Sequence, residues 1–192
     1  MTPRQAGAVF LDRDGTLIEE IGYLDRVDRL SLYPWSIDAI RALNRAGFRV
    51  VLVTNQSGVA RGFFTEAIVD EVHRHLASLL AEGAAHLDAY YYCPHHPDGS
   101  VEPYAKRCEC RKPGRALVDR AADEFGIDPS QSFVVGDRWL DVELARAIGG
   151  RGILVRTGYG AGEEQRPRPT LTADAIVDNL VGAVGWILRH AS

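Results

Sequence analysis

Long apolar runs, cysteine and lysine are all scarce in this 192-residue chain, and each scarcity excludes something. No run of about 18 apolar residues occurs, so no membrane-spanning helix is expected. The opening MTPRQAGAVFLDRDG has no apolar signal core, so no secretory leader is expected and the compartment is read as cytoplasmic. Charge of one sign is not in excess: 22 Lys and Arg stand against 26 Asp and Glu, net −4, which argues against a nucleic-acid binder working by charge alone. Internal repeats and low-complexity tracts are absent. Cysteine occurs only at Cys93, Cys108 and Cys110, and an odd, crowded set does not read as a disulfide framework. Lysine occurs only at Lys106 and Lys112, which makes each worth asking about.

What is present is ordinary for a folded chain, 46% hydrophobic and 25% charged. The length fits one domain over residues 1–192 with a core that needs no disulfides. Short apolar, β-branched or aromatic runs predict strands at Ala8–Leu11, Phe48–Val53, Asp88–Tyr92, Ser132–Val135 and Gly152–Val155. Helical spacing predicts helices over Ser36–Ala46, Thr65–Glu82 (Thr65 as N-cap), Gly114–Phe125, Leu140–Ile148 and Asp178–His190. That alternation implies an α/β fold, a Rossmann-like three-layer α/β/α arrangement around a parallel sheet, with functional groups at the strands' carboxyl ends. Thr157–Thr172, rich in Gly, Pro, Arg and Glu, reads as a mobile or irregular loop, and Met1–Gly7 as frayed. His73 and His75 are expected to face solvent or an interface, and Trp35, Trp139 and Trp186 to pack.

The first strand runs straight into Asp12-Arg13-Asp14-Gly15-Thr16. A bare D-x-D is as often a solvated loop, but two carboxylates leaving a buried strand together are more specific. One can attack phosphorus and form an aspartyl-phosphate, and the other can protonate the leaving oxygen and then activate water. Two carboxylates facing a phosphate dianion need a cation between them, and Mg²⁺, which takes oxygen ligands, suits that role.

Three further groups follow in order. Thr54-Asn55-Gln56-Ser57-Gly58 closes the second strand with hydroxyl and amide donors able to hold phosphate oxygens or sugar hydroxyls. Arg111-Lys112-Pro113-Gly114 offers a fork and a point charge for phosphate; alone it also fits a solvated basic pair. Gly136-Asp137-Arg138, with Asp141 beyond, places an acid that can complete an oxygen shell or serve as a plain helix cap. In the long insertion after the third strand, Cys93 and His95 form C-x-H, and Cys108 and Cys110 form C-x-C. Four such ligands in two tight pairs fit a closed, structural Zn²⁺ site; the bland reading is three reduced thiols in a loop. His96 is then a loop residue or a substrate contact.

These four elements, over residues 8–160, resemble the motifs of the haloacid dehalogenase (HAD) superfamily. The resemblance implies that Asp12 is the nucleophile and Asp14 the general acid/base. It implies that Thr54 and Lys112 hold the transferring phosphoryl group. Mg²⁺ is then held by Asp12, the Asp14 carbonyl and Asp137, with Asp141 behind them. The stretches Cys93-Pro-His-His-Pro-Asp-Gly-Ser-Val-Glu, Cys108-Glu-Cys-Arg-Lys-Pro, Thr54-Asn-Gln-Ser-Gly-Val-Ala-Arg-Gly and Leu154-Val-Arg-Thr-Gly are similar to the D-glycero-D-manno-heptose 1,7-bisphosphate 7-phosphatase family. That similarity implies small loop insertions instead of a large cap, a zinc loop at about 93–110, and a monomer acting on a small sugar bisphosphate. The expected product is heptose 1-phosphate, a precursor of nucleotide-activated heptose for cell-surface glycans. It implies substrate contacts at Glu20, Ile21, Gly22, Tyr23, Asn55, Gln56, Ser57, Arg111 and Arg138, with Arg61 a weaker clamp candidate. Two departures leave the sugar and its anomer open: Glu20-Ile21 stands where the family often has Asp-His, and Arg138 where it often has Lys. The alternatives are a histidinol-phosphate phosphatase, a non-catalytic sugar-phosphate binding module and, least favoured, a nucleic-acid end phosphatase.

Overall fold

The computed structural model describes residues 7–166 and 168–191; the fraying expected of Met1–Gly7 lies, Gly7 apart, outside them. Six parallel strands form one sheet: β1 (Ala8–Leu11), β2 (Arg49–Asn55), β3 (Ala89–Cys93), β4 (Phe133–Gly136), β5 (Arg151–Val155) and β6 (Ala175–Val177). Their order is β3-β2-β1-β4-β5-β6. The helices are α1 (Ser36–Arg45), α2 (Glu66–Glu82), α3 (Ala116–Phe125), α4 (Trp139–Ala147), α5 (Gly160–Glu164) and α6 (Leu180–His190).

Alternation along β1 shows how the sheet acquires two dry faces. Val9 and Leu11 join a core with Ile40 and Leu43 of α1, Leu76 and Leu80 of α2, and Leu180 and Ile187 of α6. Ala8 and Phe10 join the opposite core, with Val118 and Ala121 of α3 and Leu144 and Ala145 of α4. Truncating the fully buried Phe10 to Ala should therefore cost about 3–5 kcal/mol. Strands covered on both faces lose the polar alternation of surface sheets, which is why short continuous apolar runs marked them.

In this order the chain switches direction across the sheet between β1 and β4, where a crevice opens at the carboxyl ends of the strands. Asp12 follows β1 and Asp137 follows β4, so both stand at that crevice.

Three expectations differ from the structure. β6 and α5 lie in or beside the stretch read as irregular. β6 is a three-residue edge strand only half buried, and α5 has the sequence GAGEE, with little helical propensity of its own. Tertiary contacts hold it instead: the Trp139 indole donates to the Glu163 carbonyl at 2.8 Å, and Arg156 forks onto Glu164 at 2.7 and 2.9 Å. Thr65 does sit at the N-cap of α2, but its side chain makes no capping bond. His73, expected at a surface, is buried. The tryptophans pack as expected: Trp139 in a small core with Val142 and Leu154, and Trp35 and Trp186 against the core that holds Val9 and Leu11.

Candidate active site

The cleft at the carboxyl ends of the strands measures about 290 Å³. Of the sequence-predicted residues, Asp12, Asp14, Glu20, Gly22, Tyr23, Thr54, Asn55, Gln56, Ser57, Arg111, Lys112, Asp137 and Arg138 line it, and Arg61 and His96 join them. Ile21 is not among the lining residues and is 37% exposed.

Lys112 is the cation at the floor of the cleft. Its Nζ lies 2.9 Å from Asp12 Oδ1 and 2.6 Å from Asp141 Oδ1, with only 2% of the side chain exposed. Burial pulls its pKa down, but the two carboxylates outweigh that and hold it up at about 12. The lysine is therefore charged throughout the physiological range. Asn55 pins its backbone from both sides: the Asn55 amide donates to the Lys112 carbonyl at 3.3 Å and its oxygen accepts the Lys112 N–H at 3.0 Å. Asn55 therefore spends its amide on the lysine segment. Gln56 does likewise, donating to Asp14 Oδ2 at 2.9 Å and to Thr54 Oγ1 at 3.0 Å. Two residues read as substrate contacts thus also build the wall.

Asp12, Asp137 and Asp141 each bring a carboxylate oxygen within 4.8 Å of the others. Three acids against one ammonium leave an excess of negative charge in a buried place. Burial first, then the Asp12 charge, pushes Asp137 up to about 8, and burial raises Asp141 to about 6 despite Lys112. Asp141 is occupied, since Oδ1 accepts from Lys112 and Oδ2 from the Arg138 N–H at 3.2 Å. Asp137 Oδ2 takes the Tyr159 N–H at 2.8 Å. Among the described residues, no donor reaches Asp12 Oδ2 or Asp137 Oδ1. Hard oxygen donors with surplus negative charge fit Mg²⁺. The reading of Asp137 as a plain helix cap is not what the structure has; Arg138 occupies the N-cap of α4.

The loop after β5 is a part of the site that the sequence analysis missed. Thr157 Oγ1 donates to the Gly15 carbonyl at 2.6 Å, and Tyr159 meets Asp137 as above. The Arg138 guanidinium lies over the Tyr159 ring, 3.9 Å from its centroid. Two glycines make the close approach possible. Gly15 and Gly158 have φ of +77° and +56°, and a Cβ on either would fall 2.2 Å from Asp137 Oδ2. The signal available in the sequence was the Thr157-Gly158 pair at the carboxyl end of a strand.

The cysteines gather as their spacing predicted. Cys93 and Cys108 sulfurs are 3.5 Å apart, Cys110 lies 3.2 Å from Cys93 and 3.3 Å from Cys108, and His95 Nδ1 is 3.2 Å from the Cys110 sulfur. These contacts are too long for a disulfide, about 2.05 Å. They approach the edges of about 3.8 Å that a tetrahedron of 2.3 Å Zn–S bonds would give. Burial pushes the Cys93 and Cys110 thiols up, so a cation binding here must displace protons. The cluster contains the three cysteines and His95, with no coordination position left for substrate, which is the form of a structural zinc site.

Known proteins match this arrangement. A family profile described as polynucleotide kinase 3 phosphatase matches residues 8–140, and one described as HAD-hydrolase-like matches 109–183. The D-glycero-beta-D-manno-heptose-1,7-bisphosphate 7-phosphatase of Yersinia pestis is 45% identical over 152 residues, covering 79% of this chain and 81% of that one. The protein of that name from Haemophilus influenzae is 42% identical over 174 residues, 89% of this chain and 93% of its own. The crystal structure of D,D-heptose 1,7-bisphosphate phosphatase from B. bronchiseptica, complexed with magnesium and phosphate, superposes with a TM-score of 0.85. It is 31% identical, covering 96% of this chain and 99% of that one.

Proposed function

This chain belongs to the heptose-1,7-bisphosphate 7-phosphatase family of HAD-like hydrolases, and from that premise we propose that it removes the C7 phosphate of D-glycero-β-D-manno-heptose 1,7-bisphosphate, leaving heptose 1-phosphate. It is a phosphatase, and its chemistry is phosphomonoester hydrolysis. The observation that carries the reading is the buried Lys112 set against Asp12 at 2.9 Å, in a cleft that Asp137 also lines.

In this reading Asp12 attacks the C7 phosphorus and becomes an aspartyl-phosphate while the C7 oxygen leaves. Asp14 donates the proton that the departing alkoxide needs and then takes one from the water that hydrolyses the intermediate. Lys112 and the Thr54 hydroxyl hold the equatorial oxygens of the transferring group, where fixed donors in a dry site act most strongly. Mg²⁺ would be held by Asp12, the Asp14 carbonyl and Asp137, and supplies charge neutralisation between phosphate and carboxylates. Asp141 keeps Lys112 in place.

A bisphosphate needs a second anion locus. Arg61, Arg111 and Arg138, with His96, offer it around the cleft, while Glu20, Gly22, Tyr23 and Ser57 remain for the sugar hydroxyls. Glu20 is partly committed, its Oε1 accepting the Gly22 N–H at 2.5 Å. The preference for the β anomer is supported by the names of the relatives, not by a residue we can single out. Cys93, His95, Cys108 and Cys110 hold a structural Zn²⁺ that braces the loop leading to Arg111 and Lys112. Among the described residues no helix is long and apolar enough to cross a membrane. We place the monomeric enzyme in the cytoplasm, where cysteines stay reduced and able to bind metal, and its product in the supply of activated heptose for surface glycans.

The test is phosphate release with Mg²⁺ from both anomers of heptose 1,7-bisphosphate and from histidinol phosphate. A preference for the β anomer of about 100-fold, or about 2.7 kcal/mol in the barrier, is expected. Faster turnover of histidinol phosphate would move the chain to that other branch. Asp12→Asn should abolish release while retaining inorganic phosphate binding.

A further inference from the structure

Arg13, the residue between the two motif aspartates, is the largest fully buried side chain in the structure, 1% exposed. Its guanidinium forks onto Asp14: Nε donates to Oδ2 and Nη2 to Oδ1, both at 3.1 Å. Nη2 also donates to Gln56 Oε1 at 2.9 Å, and Gln56 returns an N–H to Asp14 Oδ2 at 2.9 Å. The other terminal nitrogen, Nη1, faces His73 Nε2 at 3.5 Å, the outer limit of a hydrogen bond.

A guanidinium only donates, so His73 Nε2 must accept and the ring proton sits on Nδ1. Burial first, then the Arg13 charge, pulls the His73 pKa down to about 3, so the ring stays neutral. His73 stands on α2 between the rings of Tyr90 and Tyr92, 5.5 and 5.7 Å between centroids. Its outer side borders a second cavity of about 550 Å³, lined also by Ala67, Asp70, Ala77, Tyr90 and Tyr92. The imidazole is thus a link with close packing on the side of Arg13 and space on the other.

We propose that Arg13, seated between Gln56 and His73, is the positioning residue that sets where the Asp14 carboxylate stands, and that His73 acts on the reaction through it. This rests on the reading of Asp14 as the acid/base. Three donors grip the two oxygens of Asp14, and a planar fork fixes the carboxylate plane as a single ammonium cannot. The fork in turn needs its own place fixed. Gln56 takes one edge, and His73 is the acceptor facing the far nitrogen. An apolar ring at position 73 leaves that buried N–H unmet and lets the guanidinium swing toward another acceptor.

The test measures kcat and KM for the heptose bisphosphate with Mg²⁺ in Arg13→Lys, His73→Phe, His73→Gln and Asp14→Asn, and in Asp14→Asn combined with each of the first two. Arg13→Lys should lower kcat about 100-fold with KM little changed, the scale of a misplaced catalytic group. His73→Phe should lower kcat by about tenfold through the same route. His73→Gln, which keeps an acceptor beside a cavity that tolerates the change of shape, should recover most of the loss. In the Asp14→Asn chain neither substitution should cost anything more, because their effect passes through Asp14. Equal fold losses with and without Asp14, a raised KM with kcat intact, or a Gln variant as slow as the Phe variant would each overturn the proposal. Melting temperatures separate these from unfolding, and the His73 pair carries the test if Arg13→Lys does not fold. Unchanged kcat in Asp14→Asn alone would instead overturn the acid/base reading on which the proposal stands.

Discussion

Asp137→Asn should stabilise the metal-free protein while destroying its activity. Burial and the neighbouring Asp12 charge push Asp137 up to about 8 from an ordinary 3.8. Between those values the native chain keeps a proton that the unfolded chain has released, so stability falls as pH rises through the window. At about 1.4 kcal/mol per unit, the strain at pH 7 is on the order of 4 kcal/mol, or roughly 10 °C in melting temperature for a chain of this size. Asp141, raised to about 6 chiefly by burial, acts in the same direction over the lower part of the window. Lys112, held at about 12, loses its contribution only above its ordinary 10.5 and does not interfere. Asparagine carries no charge, and its oxygen can still accept the Tyr159 N–H. Thermal melts from pH 5 to 8.5, with and without added Mg²⁺, check this. Wild type should melt lower as pH rises, and Mg²⁺ should restore stability increasingly over the same range. The variant should be flatter, more stable at pH 8 without Mg²⁺ and much less responsive to it. A variant no more stable than wild type at pH 8, with the same slope, would refute the account of a strained acidic cluster that a cation relieves.

Lys112→Met should destabilise the fold by about 3–5 kcal/mol in urea titrations, because two buried carboxylates lose their counter-charge; turnover should collapse with it. Gly158→Ala adds a Cβ 2.2 Å from Asp137 Oδ2 at a φ of +56°, so kcat should fall and the concentration of Mg²⁺ giving half-maximal rate should rise. Cys110→Ser should lower bound zinc, read by elemental analysis, and reduce melting temperature and kcat together.

The sequence was readable where chemistry and periodicity coincided. β1 runs into Asp12, β2 carries Thr54 near its end and β4 runs into Asp137, while Lys112 is one of only two lysines, so these four stood out, and the structure brings all of them to one cleft. Asn55 and Gln56 were legible as cleft residues but their bonds to Lys112, Asp14 and Thr54 were not, because an amide at a strand end reads the same whether it faces a ligand or the protein's own wall. Arg13 drew no role from the sequence, since nothing in D-x-D says which way the middle residue turns. His73 was legible and missed: it follows Val69 by four residues and precedes Leu76 by three, on the face that those buried residues define. Beyond the Thr157-Gly158 pair, the order of residues 159–164 was not legible, because it comes from bonds to Asp137, Trp139 and Arg156 that no local pattern marks.

Those same dependencies give the Cys93, His95, Cys108 and Cys110 cluster, the proposed zinc site, a reason to stand beside a cleft it does not enter. Residues 93–112 leave β3 and return with Lys112, too short and polar a segment to hold itself by a core. Cys93 ends β3 in register with Asn55 of β2, and the Gln56 N–H donates to the Cys93 carbonyl at 2.8 Å. Cys110 comes two residues before Lys112, and Arg111 between them reaches the His95 carbonyl at 3.4 Å. One end of the cluster is therefore built into the strand ends that carry Thr54, Asn55 and Gln56, and the other into the segment that carries the lysine. The Asn55 amide, bonded both ways to the Lys112 backbone, closes the circuit. Four ligands drawn onto one Zn²⁺, as proposed above, would set a fixed distance between β3 and Lys112 across this 20-residue excursion, and a fixed distance is what a buried ammonium needs to meet Asp12 and Asp141 at once.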